Sequence, residues 1–129
     1  MMGPMTDLEV VRALYEAMAA RDLERLLPLI DPGYTITQDA ALPWGGRYVG
    51  HDGFALALSG AIDSAVAIEA IFEAGGEVFQ YGRTRSTVSA TGNTFDLPEV
   101  HRWTIRDGRA VEAHFAIDTP AMLRALEPG

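Results

Sequence analysis

Two periodicities divide the chain. Apolar residues recur at helical spacing at Leu8, Val11, Leu14, Tyr15 and Met18. Thr6-Asp7-Leu8-Glu9 ahead of them is a capping box, in which the threonine side chain takes an amide hydrogen of the first turn and the glutamate reaches back. Asp22 is a second N-cap, opening a short helix through Leu23, Leu26, Leu27 and Ile30 that Pro32-Gly33 ends. Tyr34 to Gln38 alternates as a strand, and Ala41 to Gly53 reads as a Gly- and Pro-containing loop around Trp44 and Tyr48. A third helix is predicted from about Asp52 to Ala61, with Phe54, Leu58 and Ile62 on one face.

From Ala65 the period becomes two. Val66, Ile68, Ala70 and Phe72 alternate with Ala67, Glu69, Ile71 and Glu73, and Gly75-Gly76 turns the chain. Glu77 to Ala90 returns, Thr91-Gly92-Asn93 turns again, and Thr94 to Arg106 follows. Asp107-Gly108 is a two-residue hairpin signal, because both central residues must accept positive φ. The last strand, Ala110 to Asp118, leads into a short helix capped by Thr119 with Pro120 in its first turn. Helices followed by an antiparallel meander give an α+β class.

At 129 residues the chain has the length of a single domain. With no cysteine there is no disulfide framework, thiol nucleophile or thiolate metal site. Eighteen acidic side chains against ten basic ones leave a net charge of −8, which repels a phosphate backbone and argues against a nucleic-acid partner. No apolar run is long enough to span a membrane, and the first residues lack a basic n-region and an apolar h-region. These features predict a soluble, cytoplasmic domain acting on something small or on another protein. Gly45-Gly46 is not followed by a lysine, so it is no phosphate loop. The serines lie in no nucleophile-elbow context.

The Asp107-Gly108 turn fixes a register. Arg106 faces Arg109, and continuing the pairing sets His101 opposite His114, Trp103 opposite Glu112 and Glu99 opposite Ala116. One side of this hairpin then displays Glu99, His101, Trp103, Glu112, His114 and Asp118. The other displays Val100, Arg102, Thr104, Val111, Ala113, Phe115 and Ile117. Two readings fit: the polar side is a solvated surface over an apolar core, or it lines a concave pocket while the apolar side packs on a second subunit. Pro98, immediately before Glu99, favours the pocket, since proline in a sheet is confined to edges and bulges that re-aim a side chain.

The order of elements resembles the nuclear-transport-factor-2-like cone with its cystatin-like fold, in the SnoaL-like and ketosteroid-isomerase-like branch. The resemblance runs from Val10 to Leu126. It is carried by Val10 to Ala17 with Arg21-Asp22, by Pro43 to His51, and by Leu97-Pro98-Glu99-Val100-His101-Arg102-Trp103. Arg106 to Arg109 and Phe115 to Pro120 complete it. It implies a curved antiparallel sheet wrapped around the N-terminal helices, with an interior pocket. By the same resemblance Glu99 falls on the carboxylic acid that helps hold the substrate oxyanion in ketosteroid isomerases. That family's aspartate base falls on Gln38 and its tyrosine on Leu14, one residue from Tyr15. Glutamine takes up no proton and leucine donates none, so the pocket is implied but ketosteroid isomerisation is not.

The resulting expectation is a cofactor-independent acid/base enzyme, of isomerase, cyclase or dehydratase type, on a small hydrophobic carbonyl compound such as a polyketide or terpenoid. Glu99 would be acid or oxyanion donor, His101 and His114 a proton shuttle, and Asp118 a base or orienting group, with capping of the last helix as its alternative. Tyr15, Tyr34, Gln38, Trp44, Phe54 and Trp103 would contact the ligand, Trp44 as a lid or as ordinary packing. His101, His114 and a carboxylate could form a metal triad, but no metal is expected because the family implied generally needs none. A homodimer through the outer face of the sheet is expected. The rival reading keeps the fold as a ligand-binding or dimerisation module without chemistry.

Overall fold

A computed structural model describes residues 5–53, 65–88 and 90–128. The first helix, α1 (Asp7–Ala19), begins as the capping box requires. Glu9 N–H donates to Thr6 Oγ1 (3.2 Å) and Thr6 N–H to Glu9 Oε1 (3.0 Å), a cap whose loss costs about 0.5–2 kcal/mol. Val10, Val11, Leu14, Tyr15 and Ala17 form its buried stripe. Asp22 caps α2 (Leu23–Leu26). That helix is shorter than its apolar pattern predicts: Pro28 lies in a 3₁₀ turn, Leu27–Leu29, and Ile30 already belongs to strand β1 (Ile30–Gln38). Pro32-Gly33 therefore sits inside β1, in the stretch between Ile30 and Thr35 where its pairing with β6 is irregular.

The loop expected between Ala41 and Gly53 contains a short strand, β2 (Gly46–Val49), and a helical turn at 50–53. The rest of the predicted third helix, with Phe54, Leu58 and Ile62, lies outside the described residues. Strands β3 (Ala65–Ala74), β4 (Glu77–Thr87), β5 (Thr94–Arg106) and β6 (Arg109–Ile117) precede α3 (Thr119–Leu126). Among the described residues the strands form one six-stranded sheet in the order β2-β1-β6-β5-β4-β3. Every junction is antiparallel except β1–β6, which is parallel. No helix among the described residues is long and apolar enough to cross a membrane.

The β5–β6 turn forms as predicted: Arg106 pairs with Arg109, and Asp107 and Gly108 take φ of 52° and 76°. The register beyond it does not. Ile105 pairs with Ala110 but Thr104 with Glu112, so Val111 is an extra residue, a β-bulge. One added residue flips every later side chain of β6 to the other face. His101 is opposite Phe115, Trp103 opposite Ala113 and Glu99 opposite Ile117, while His114 pairs with Arg102. The expected His101–His114 and Trp103–Glu112 pairs are therefore absent. Ala113, Phe115 and Ile117 face the core with Glu99, His101 and Trp103, and Glu112 and His114 face outward with Arg102 and Thr104. A second irregularity, between Ile68 and Ala70 of β3, sets Ile68 beside inward Gly82 and Ala70 beside outward Tyr81. Pro98 lies just past Glu99–Ile117, the last pair between β5 and β6, so its missing N–H costs no rung there.

Helix α1 packs on the inward face of the sheet. One apolar cluster joins Val10, Val11 and Leu14 to Tyr34, Ile36 and Trp103; a second joins Leu42, Val88, Phe95, Leu97 and Met122. Along β5 the inward side chains are Phe95, Leu97, Glu99, His101, Trp103 and Ile105, all buried. A two-residue polar layer, Glu99 and His101, thus separates the two apolar clusters.

Candidate functional site

The polar layer is as dry as the clusters around it: Glu99 is 2% exposed, His101 5% and Gln80 0%. Burying such groups is costly unless they are hydrogen-bonded, and here they bond to one another. Tyr15 is brought in by the buried stripe of α1, Gln80 by β4 directly opposite His101, and Trp103 by β5 two residues further along the same face.

The direction of the hydrogen bonds follows from donor inventory. Trp103 Nε1–H can only donate, and it lies 2.9 Å from Tyr15 Oη. Tyr15 must then spend its own hydrogen elsewhere, and His101 Nδ1 is 2.6 Å away. His101 Nδ1 is therefore the acceptor. In the neutral ring the proton sits on Nε2, which lies 3.4 Å from Glu99 Oε2. Gln80 Nε2 donates to the same Glu99 oxygen at 2.5 Å and lies 3.2 Å from His101 Nδ1 and 3.4 Å from Tyr15 Oη. The His101 ring is stacked on Phe115 at 3.6 Å between centroids, and Tyr15 meets Trp103 edge-on.

Burial acts on every titratable group of the layer. Burial pushes His101 down to about 3, and burial holds the Glu99 carboxyl above its usual range, partly offset by the Gln80 N–H. Tyr15 is raised by burial against the opposing hydrogen bonds from Trp103 and Gln80. Tyr34 is raised by burial and by the neighbouring Tyr15. Burial thus disfavours the charged form of both groups, lifting the carboxyl and lowering the imidazole.

Of the residues expected at the site, Glu99, His101, Tyr15 and Trp103 come together. Tyr34 stacks on Trp103 at 6.5 Å, and half-buried Gln38 lies on the same inward side, paired with Phe115. His114 does not join them. The bulge turns it outward, where its Nδ1 meets Thr37 Oγ1 at 2.6 Å, so it shares no proton path or metal triad with His101. Among the described residues no three His, Asp or Glu side chains are placed to hold a metal ion. Asp118 is exposed and accepts from Ala121 N–H at 3.1 Å, the capping alternative, so the N-cap of α3 is Asp118 and not the expected Thr119, which is already the first residue of the helix. Trp44 packs on the second apolar cluster, its carbonyl accepting from Tyr48 Oη at 2.6 Å. A groove of about 570 Å³ between α3 and β5 is lined by Phe95, Leu97, Ala121 and Arg124 among others, but not by the polar layer.

Gln80 is the member that sequence reasoning missed. Its strand offers Phe79 and Tyr81 as the apolar side, and these face outward. The long 88–93 connection sets no register that would have paired Gln80 with His101.

A family model described as a SnoaL-like domain matches residues 11–113. The structure is similar to an NTF2-like protein from Burkholderia thailandensis E264, with 26% identity, 96% of this chain and 99% of that chain covered, and a TM-score of 0.88. It is also similar to IdmH from Streptomyces antibioticus, described as a candidate polyketide cyclase, with 27% identity, coverage of 95% and 99%, and a TM-score of 0.75. TerC, co-crystallised with polyporic acid, aligns with 26% identity, coverage of 92% and 96%, and a TM-score of 0.80. No curated protein matches the chain.

Proposed function

The chain belongs to the SnoaL-like domain family, and from that premise we propose that it is a cofactor-independent acid/base enzyme of cyclase, isomerase or dehydratase type. Its substrate is a small hydrophobic carbonyl compound of polyketide or terpenoid character. The observation that carries the reading is the buried Glu99–His101 layer between two apolar clusters. The similarity to a candidate polyketide cyclase and to a protein crystallised with polyporic acid points to the same substrate class.

In this reading the ligand lies against the inward face, with its apolar parts on the clusters and its carbonyl at Glu99. Glu99 gives its proton to the carbonyl oxygen as charge develops there. The carboxylate left behind accepts the Gln80 N–H on Oε2, and His101 Nε2 lies 3.4 Å from the same oxygen. Tyr15 holds His101 in the tautomer that presents Nε2–H, and Trp103 holds Tyr15. Gln38 and Tyr34 are ligand-contact residues. Return of the proton to Glu99 from substrate carbon or water closes the cycle.

The outer face of the sheet is the proposed homodimer surface. A row of Ala70, Tyr81, Val100 and Ala116 runs across four strands, with Phe72 stacked on Phe79 beside it. Val100→Asp is expected to turn a dimer into a monomer in sedimentation; a wild-type monomer at micromolar concentration would contradict the assignment.

A screen of carbonyl compounds for turnover and for exchange of protons next to the carbonyl tests the catalytic reading. Activity lost in Glu99→Gln supports it. Ligand binding without turnover or exchange would instead support a binding module.

A further inference from the structure

Between Val78 and Thr84, four residues of β4 face inward, and three of them have a place in the packing described above. Val78 lies in the first apolar cluster, Gln80 in the polar layer, and Gly82 leaves room for the end of the Gln80 side chain. Thr84 is the exception. It pairs with Val66 of β3 and Leu97 of β5, and it is only 6% exposed. Its hydroxyl makes no hydrogen bond among the described residues, yet it is not sealed from the surrounding space. An unpaired hydroxyl in so buried a place is costly. Valine has nearly the same shape and suits a strand as well, so the fold alone gives no reason for the oxygen.

Its position gives one. Gly82 is directly opposite Glu99, so Thr84 is the diagonal neighbour of Glu99 on the same face, about 7–8 Å away along the backbone lattice. Leu97, beside Thr84, belongs to the second apolar cluster. On the other side Val66 and Ile68 of β3 face the same way and stay exposed, so the inward face is open toward this edge. We infer that Thr84 is a specificity-determining residue, whose hydroxyl takes a second oxygen of a ligand that has its carbonyl at Glu99. The two ligand oxygens would stand about 5–7 Å apart, given that diagonal spacing. A hydroxyl both donates and accepts, so the second oxygen can belong to a hydroxyl or a carbonyl. A ligand with only hydrogen on carbon at that place leaves the Thr84 hydroxyl unpaired and is discriminated against. The substrate class narrows accordingly, from a hydrophobic carbonyl compound to one oxygenated at two separated positions. This inference rests on the proposed placing of a carbonyl at Glu99.

Two ketones of one shape test it, 1-tetralone and 6-hydroxy-1-tetralone, the second adding a hydroxyl across the aromatic ring from the carbonyl. Their binding to the full-length chain is measured by calorimetry. Wild type is expected to prefer the hydroxylated ketone. Thr84→Val should weaken that ketone about 5–50-fold and move 1-tetralone by less than about 2-fold. Thr84→Ser, which keeps the hydroxyl, should retain the preference. Thr84→Val should also melt no lower than wild type, because it removes an unpaired group; a hydroxyl that serves only the fold would make it melt lower. Equal binding of the two ketones by wild type, binding of neither, or a preference that survives Thr84→Val overturns the inference. A preference lost in Thr84→Val, in a protein whose turnover ignores Glu99→Gln, would sink the catalytic reading alone. Turnover that depends on Glu99 with no preference for the second oxygen would sink only the role of Thr84.

Discussion

His101 and His114 sit on neighbouring strands of one hairpin and lie in opposite worlds. His101 faces inward, stacked on Phe115, with Nδ1 held by Tyr15 and Nε2 turned to Glu99. His114 faces outward, half-buried, with Thr37 as its partner and Arg102 as its cross-strand neighbour. The residue type is the same; one bulged residue, Val111, separates a group locked neutral in a dry network from one on the sheet's outer surface. Chemistry here is assigned by the face of the strand.

The largest contrast is expected in turnover. Glu99→Gln removes the exchangeable proton and keeps the shape, and should lower kcat/KM by about 10²–10⁴-fold. His114→Gln should leave it within about 2-fold, since the outward ring touches none of the inner layer. A similar loss in both variants, measured on one substrate, would erase the distinction.

Stability should then register the inner layer through its pH dependence. His101 is held neutral at a value near 3, against 6.5 for the ordinary group. The unfolded chain therefore binds a proton that the folded chain refuses, and stability falls as pH drops from about 6.5 toward 3, by an amount on the order of a few kcal/mol. Glu99 works in the opposite sense. Its folded form favours the proton, so its contribution is intact below about 4.5 and is lost as pH rises through the higher folded value. Urea unfolding across pH should show a flatter acid limb for His101→Gln and a flatter alkaline limb for Glu99→Gln. A wild-type acid limb matched by His101→Gln would refute the assignment.

Smaller effects complete the series. A methyl at Gly82 would collide with the Ala67 backbone oxygen, so Gly82→Ala should destabilise by about 1–3 kcal/mol. On the outer face Arg102 bridges Glu77 at 3.0 Å and Glu112 at 2.9 Å while about a third exposed. Arg102→Ala should cost at most about 1 kcal/mol, because solvent screens such pairs. Thermal unfolding of the two variants side by side checks the order; a reversal would mean that the outer network carries more stability than the inner packing.

Much of this fold was legible from local chemistry. The capping box, the Asp22 cap and the Asp107-Gly108 turn each declare themselves through residues that few other conformations tolerate. Glu99, His101 and Trp103 share a face because alternation within one strand is immune to what its neighbours do. The assignment of His114 and Glu112 depended on counting across the turn, and that count holds only until Val111. A competing signal was present: Ala113, Phe115 and Ile117 alternate with Glu112 and His114, out of phase with a register continued from the turn. The bulge reconciles a strict turn with that hydrophobic phase. The parallel β1–β6 junction and the placing of Gln80 depend on long-range pairing, for which no local residue is diagnostic.

The most direct test of the inner layer as a proton-exchange site is the ¹⁵N spectrum of the histidine rings across pH. His101 is expected to stay neutral with its proton on Nε2 from about pH 5 to 8, whatever the outward His114 does. An imidazolium at His101 near pH 6, or a proton on its Nδ1, would contradict the Trp103–Tyr15–His101–Glu99 order on which the proposed chemistry depends.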